Sequence, residues 1–314
     1  MATGTTVSLM HGLAANRLRR AATYASVAVA AILIAAKFAA WLETGSVALL
    51  SSLVDSLLDA AASLVNLIAV RHAMSPADRE HRFGHGKAEP LAVLGQSAFI
   101  TGSALLLLAE AVRRLISPAA IENPPAGIAV MIFSIALTIG LVIYQRYVVR
   151  RTGSIAITAD ELHYRSDLVL NLSVIAALVL GTAIDQPILD PLFGAAIGVW
   201  IVYSAVRLAR LSLFQLMDHE LPDDEREKIR EIAQSHPDVV AAHDLRTRTA
   251  GPTAFIQLHI EMDGTMSLER AHEISDEVEA KLRAAYPNAE VIIHQDPEGV
   301  EEPRANFPRR VAAQ

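Results

Sequence analysis

The sequence predicts an α-helical membrane bundle of six spans followed by a small α/β domain. Three observations lead there. The chain is 52% hydrophobic and 19% charged, with mean hydropathy +0.34, against about 45–50% apolar and about 25% charged for an ordinary soluble domain. The excess is uneven. Residues 1–212 carry 16 basic and 13 acidic side chains, and residues 213–314 carry 11 and 21. A near-neutral apolar part therefore precedes an acidic, polar part. Finally, six apolar segments each reach the ~20 residues a helix needs to cross a bilayer.

The six segments fall at about 21–42, 46–70, 90–114, 126–149, 158–181 and 188–211. Breakers separate them: Glu43-Thr44-Gly45, the Ser75–Lys87 loop, Asn123-Pro124-Pro125, Arg151-Thr152-Gly153 and Asp185-Gln186-Pro187. The first run starts near Ala21 and lacks a small-residue cleavage site, so it reads as a retained span rather than a cleaved leader. The domains expected are an N-terminal segment 1–20, a six-helix domain 21–212, an α/β domain 213–300 and a disordered tail 301–314.

Basic residues set the orientation. Arg17, Arg19 and Arg20 precede the first span, and Arg71, Arg79, Arg82 and Lys87 lie between the second and third. Arg146, Arg150 and Arg151 end the fourth, and Arg207 and Arg210 end the sixth. Alternating spans put all these ends on one side, which is then cytoplasmic, with both termini. Arg113 and Arg114, at the outer end of the third span, break the pattern.

The acidic part reads as alternating elements. Pro222–Ser235 and Ser267–Tyr286 have helical periodicity, the latter with Ser267 as cap. Asp238–Thr249, Thr253–Met262 and Ala289–His294 read as strands, with a turn at Gly251-Pro252. The order α-β-β-α-β suggests an antiparallel or mixed sheet with helices on one face.

Charged groups inside spans are expensive and mark ion pathways. The second span carries Asp55, Asp59, Ser63 and Asn66 at steps of four, four and three; the fifth carries His163, Asp167 and Asn171 at steps of four. Each set lies on one helix face. Juxtaposed, Asp55, Asp59, His163 and Asp167 can enclose one divalent cation. Carboxylates so crowded can hold either a cation or protons, which is a basis for exchange. Lys37, inside the first span, reads as structural, and Glu89 and Glu110, near helix ends, as facing water.

There are no cysteines, so metal chemistry must use the 11 histidines and the carboxylates. Asp78, His81 and His85 have the spacing D-x-x-H-x-x-x-H, which suits one cation and a water, or simply a hydrated basic loop. In the acidic part His243, His259, His272 and His294, with Asp296, are either a metal site or scattered surface residues. His11, His72, His219 and His236 lack a ligand pattern and read as surface or interfacial.

The stretches "TGSVALLSSLVDSLLDAAASLVN", "FGHGKAEPLA", "ADELHYRSD", "AHDLRTRTAGPTAFIQLHIEM" and "VIIHQDP" resemble the cation diffusion facilitator family, in its bacterial zinc/iron efflux branch. The resemblance runs from about Arg17 to Asp296. It implies a homodimer in the bacterial inner membrane. Each protomer has six spans and a ferredoxin-like, metallochaperone-like cytoplasmic domain, and exchanges zinc for protons by alternating access. It implies a transport site of Asp55, Asp59, His163 and Asp167 and a loop site of Asp78, His81 and His85. It also implies a cytoplasmic binuclear site of His243, His259, His272, His294 and Asp296, to which Gln295 contributes. Lys87 and Asp218 correspond to an interlocking charge pair between protomers. Zinc is the expected ion at all three sites, with cadmium or ferrous iron as alternatives, since imidazole favours zinc over hard cations.

The acidic C-terminal part argues against nucleic acid. A membrane metalloenzyme needs a motif such as H-E-x-x-H, and the sequence has none; no enzyme activity is expected. The remaining alternatives are a metal sensor or storage scaffold without transport, and a channel, though a cage that strips the ion suits a carrier better.

Overall fold

The computed structural model describes residues 2–45, 47–116, 125–184 and 189–299. The expected tail 301–314 and the breakers at 123–124 and 185–187 lie outside these residues. The chain divides into a helical unit and a C-terminal unit.

The helical unit takes in α1 (Ala2–Thr44) from Leu9 onward, α2 (Val47–Ala73), α3 (Ala88–Ile116), α4 (Pro125–Thr152), α5 (Ile155–Ile184) and α6 (Leu189–Leu216). Among the described residues, all but α5 contain a stretch long and apolar enough to cross a membrane. The α5 helix falls short because Asp160, Glu161, His163, Arg165 and Asp167 crowd its first half. That half is nonetheless mostly buried, because α4 and α6 enclose it. Two breakers act as anticipated. Gly45 (φ 63°) and Gly153 (φ 61°) end α1 and α4 in the left-handed region. Their amides bond to Trp41 O and Val149 O, each at 2.8 Å.

Small residues let the helices approach closely. Ile100 and Ala104 of α3 pack against Ile201 and Ala205 of α6. Val70, Val93, Ala156, Ala159, Leu162 and Leu208 join α2, α3, α5 and α6 in a second cluster.

Glu89 corrects an expectation: it is buried, at 1% exposure. Its carboxylate accepts from Ser154 Oγ and, at 3.1 Å, from Ala156 N. Arg19 Nη1 lies 3.7 Å away, and Arg19 Nη2 donates to Thr152 O at 3.1 Å. A buried acid thus meets the positive N-terminus of α5 and ties α1 and α3 to the α4–α5 turn. Lys37, expected to be structural, has its ammonium donating to Ser52 O (3.1 Å) and Ser56 Oγ (2.7 Å) on α2. Glu110 is paired at the surface with Arg113, by two bonds of 2.7 and 2.8 Å. That pairing neutralises Arg113, one of the two charges that broke the orientation pattern.

The C-terminal unit contains α7 (Asp223–Gln234), β1 (Ala241–Ala250), β2 (Thr253–Met262), α8 (Leu268–Ala285) and β3 (Ala289–Pro297). The sheet order is β1-β2-β3. β2 and β3 are parallel, and the two-residue turn between β1 and β2 suits only an antiparallel pair, so the sheet is mixed. Ser267 caps α8, its hydroxyl accepting from Arg270 N at 3.3 Å. Ile256, Leu258 and Ile260 of β2 pack with Ile229 of α7 and Ile274, Val278 and Leu282 of α8. Both helices therefore cover one sheet face, and alternation sends His259 and Glu261 to the other. His236 is buried rather than superficial. Its Nε2 lies 3.0 Å from Glu277 Oε2, and its Nδ1 accepts from Asp238 N.

Candidate metal centres

Among the described residues, three groups of histidines and carboxylates have ligand atoms within 4.8 Å of one another.

The first joins α2 to α5. His163 Nε2 lies 3.0 Å from Asp59 Oδ1 and 3.8 Å from Asp167 Oδ2. The three line a cavity of about 420 Å³ with Asp55, Lys37 and Asn171. Asp55, one turn before Asp59, lies outside the group of three, so three of the four anticipated ligands converge. The site rests on a polar layer that sequence reasoning missed. Asp160, buried on the same stripe three residues before His163, accepts from Ser26 Oγ (2.5 Å) and Gln145 Nε2 (2.8 Å). Tyr164 shares a 2.8 Å bond with Ser63. Following the stripe in steps of three as well as four would have found Asp160.

The second lies in the loop between α2 and α3. Asp78 Oδ1 is 3.4 Å from His81 Nδ1, and Oδ2 is 3.3 Å from His85 Nε2. The backbone amides of His81 (2.6 Å) and Glu80 (2.9 Å) donate to Asp78 Oδ1. Those bonds, that from His81 foremost, hold the Asp78 carboxyl below the usual range. It therefore stays ionised, as a cation ligand must.

The third lies on the face of the sheet opposite α7 and α8. Asp296 is 6% exposed and central. Its Oδ2 lies 3.1 Å from His243 Nε2 and 2.9 Å from His259 Nδ1, and its Oδ1 lies 3.2 Å from His294 Nε2. Register explains the convergence, because His259 pairs with His294 and Glu261 with Asp296. On β1, Asp244 at φ 44° breaks the alternation. Two anticipated ligands stand elsewhere in this chain. Gln295 points to the helix side, donating to Ser275 Oγ (2.8 Å) and Ala271 O (3.3 Å) on α8. A one-residue step along a strand reverses the face, which takes Gln295 out of the site. His272 is exposed on α8, 3.7 Å from Asp276.

Lys87 and Asp218 fall in different units. Lys87 Nζ donates to Leu216 O at 3.3 Å, and Asp218 Oδ1 lies 3.6 Å from Arg248 Nη1.

Residues 23–217 match the cation efflux transmembrane domain, and residues 221–298 match the cytoplasmic domain of cation efflux proteins. The chain belongs to the cation efflux family. Its members move divalent metal cations across membranes and are not enzymes. The cation-efflux pump FieF of Serratia proteamaculans is 51% identical over 281 residues, covering 90% of this chain and 93% of that protein. FieF of Cronobacter sakazakii is 49% identical over 90% of this chain and 94% of its own length. Among solved structures, the metal-bound C-terminal domain of the CzcD transporter from Thermotoga maritima matches with 30% identity and a TM-score of 0.25. It covers 26% of this chain and all of that one.

Proposed function

We propose that this cation efflux protein is a zinc/proton exchanger. It works as a homodimer in the bacterial inner membrane, with both termini in the cytoplasm. Residues 21–212 form the transport domain and 213–300 the regulatory metal-binding domain. The observation that carries this reading is the meeting of Asp59, His163 and Asp167 inside the helical unit. One imidazole and two carboxylates suit zinc, and cadmium and ferrous iron are the nearest competitors. Asp55, on the same cavity, is the fourth ligand after a rotamer change. When the cation leaves, three acids, Asp55, Asp59 and Asp167, remain beside the imidazole in a low-dielectric interior. Protons are the counter-charge at hand.

The loop site and the Asp296 cluster fit zinc by the same donor chemistry and hold it as resident ions. In a homodimer, His272 of a second copy completes the Asp296 site, and Lys87 with Asp218 supplies the charge pair between protomers. Flux into proteoliposomes tests the reading, with zinc, iron, manganese and cadmium compared under an imposed pH gradient. Zinc flux should follow the gradient, and Asp59→Ala should abolish it. Zinc binding without flux would favour a sensor or storage scaffold instead.

A further inference from the structure

His85 is the most enclosed member of the loop group, its side chain only 7% exposed. Its two ring nitrogens have different surroundings. Nε2 faces Asp78 Oδ2 at 3.3 Å. Nδ1 is buried and has no hydrogen-bond partner among the described residues. Two further imidazoles flank the ring. His81 lies with its ring centre 4.6 Å away, and His72, from the last turn of α2, lies at the same 4.6 Å, edge-on at 66°. The chain folds back at this point: Ser75 N donates to His72 O at 2.9 Å, which brings the loop beside the end of α2.

We propose that His72 is a fourth protein ligand of the loop site. It would convert an open site of Asp78, His81 and His85 into a closed tetrahedral zinc site that clips the loop to α2. The proposal rests on the reading of the loop as a zinc site. Two imidazoles bound to one zinc through nitrogen, at ~2.0–2.1 Å, place their ring centres about 5 Å apart. Both separations measured here, 4.6 Å, are near that value. In this conformation His72 stands outside the group whose ligand atoms lie within 4.8 Å of one another, but it is exposed, so its ring can turn about χ1 and χ2 to bring a nitrogen to the ion without disturbing packing. Four protein ligands with no water define a structural zinc site, whereas three plus water define an exchangeable one. The His72 ligand therefore makes the loop a fixed clip rather than a relay that hands ions onward.

The test uses the full-length purified protein with zinc alone as probe. Asp59→Asn and His163→Ala remove the transport site, and His259→Ala with Asp296→Asn removes the C-terminal cluster. Zinc X-ray absorption counts imidazoles, and chelator competition measures affinity. The expected loop zinc has three imidazoles and one carboxylate. His72→Asn should leave two imidazoles and weaken binding by about tenfold or more. His72→Phe preserves an edge-on ring and should lose the same imidazole, which separates ligation from stacking. Unchanged imidazole count and affinity in both His72 variants, with zinc lost in Asp78→Ala, would overturn the proposal and leave the loop reading intact. Absence of loop zinc in the otherwise unaltered background would overturn both.

Discussion

A buried charge has consequences that depend on what surrounds it, and Glu89 shows this at the scale of one residue. It accepts from Ser154 Oγ and Ala156 N and faces Arg19. Glu89→Ala leaves the Arg19 guanidinium without its counter-charge in the interior and the α5 N-terminus without its acceptor, a loss of about 3–5 kcal/mol. Thermal unfolding in detergent should show a large fall in Tm, whereas Glu89→Gln, which still accepts hydrogen bonds, should recover part of it. Nothing near Glu89 in the sequence announces this role, because its partners lie 65 or more residues away. Tyr286 offers a pH test outside the membrane. Burial, with help from Glu225, pushes its hydroxyl from 10.0 up to about 12, and that hydroxyl donates to Glu225 Oε2 at 2.7 Å. A raised folded value means the bond stabilises fully below pH ~10 and is lost as pH rises toward 12. Urea denaturation at pH 9 and 11.5 should show a loss of stability that is smaller in Tyr286→Phe.

Elements convert spacing into direction, and here the two periods separate what could be read from what could not. Steps of four along α2 and α5 aim Asp59, His163 and Asp167 at one point, and alternation along β2 and β3 aims His259, His294 and Asp296 at another. The first was legible because period 3.6 fixes a helix face before any packing is known; for the second, residue spacing left a metal site and scattered surface histidines equally open, and only the family resemblance grouped them. The same rule turns Gln295 the other way, since a residue between two outward ones must face inward, and in this chain its amide meets Ala271 O and Ser275 Oγ of α8. The stripe of α5, followed in steps of three, holds Asp160 as well, but its partners Ser26 and Gln145 were not legible, because they sit on other helices and only packing brings them together. The contact of α3 with α6 was not legible either. Gly198 lies at that contact, where a Cβ would come within 2.8 Å of Leu108 Cγ and Cδ2. Gly198→Val should therefore overpack the interface and cost about 1–3 kcal/mol. Gly194→Ala is the contrast, because its Cβ would meet only Ala111 Cβ, at an ordinary 3.8 Å. A Tm series on the two variants should show a drop for the first and little change for the second.

At the scale of the whole molecule, charge is divided as sharply as hydropathy. Residues 213–314 hold 21 acidic against 11 basic side chains, so two C-terminal units in a homodimer repel at neutral pH. Electrostatic repulsion between exposed surfaces weakens beyond a Debye length, ~8 Å at physiological salt, and divalent cations bound at the facing surfaces oppose it directly. The Asp296 cluster is suited to that role. It offers three imidazoles around one nearly buried carboxylate on the sheet face opposite α7 and α8. Zinc bound there, with His272 of a second copy as a ligand, would draw the two units together. Spin labels on α7 at Glu231, read by electron–electron distance measurement, should then report a shorter distance between protomers when zinc is added. The shortening should disappear in Asp296→Asn, which keeps the size of the side chain and removes its charge. It should persist in Asp59→Asn, whose defect lies in the membrane. Raised salt should also shorten the zinc-free distance, because screening acts on the same repulsion, but without saturating at a fixed stoichiometry as zinc must. A distance that ignored zinc, yet changed with salt, would leave the C-terminal units as passive acidic domains and remove any control of transport through them.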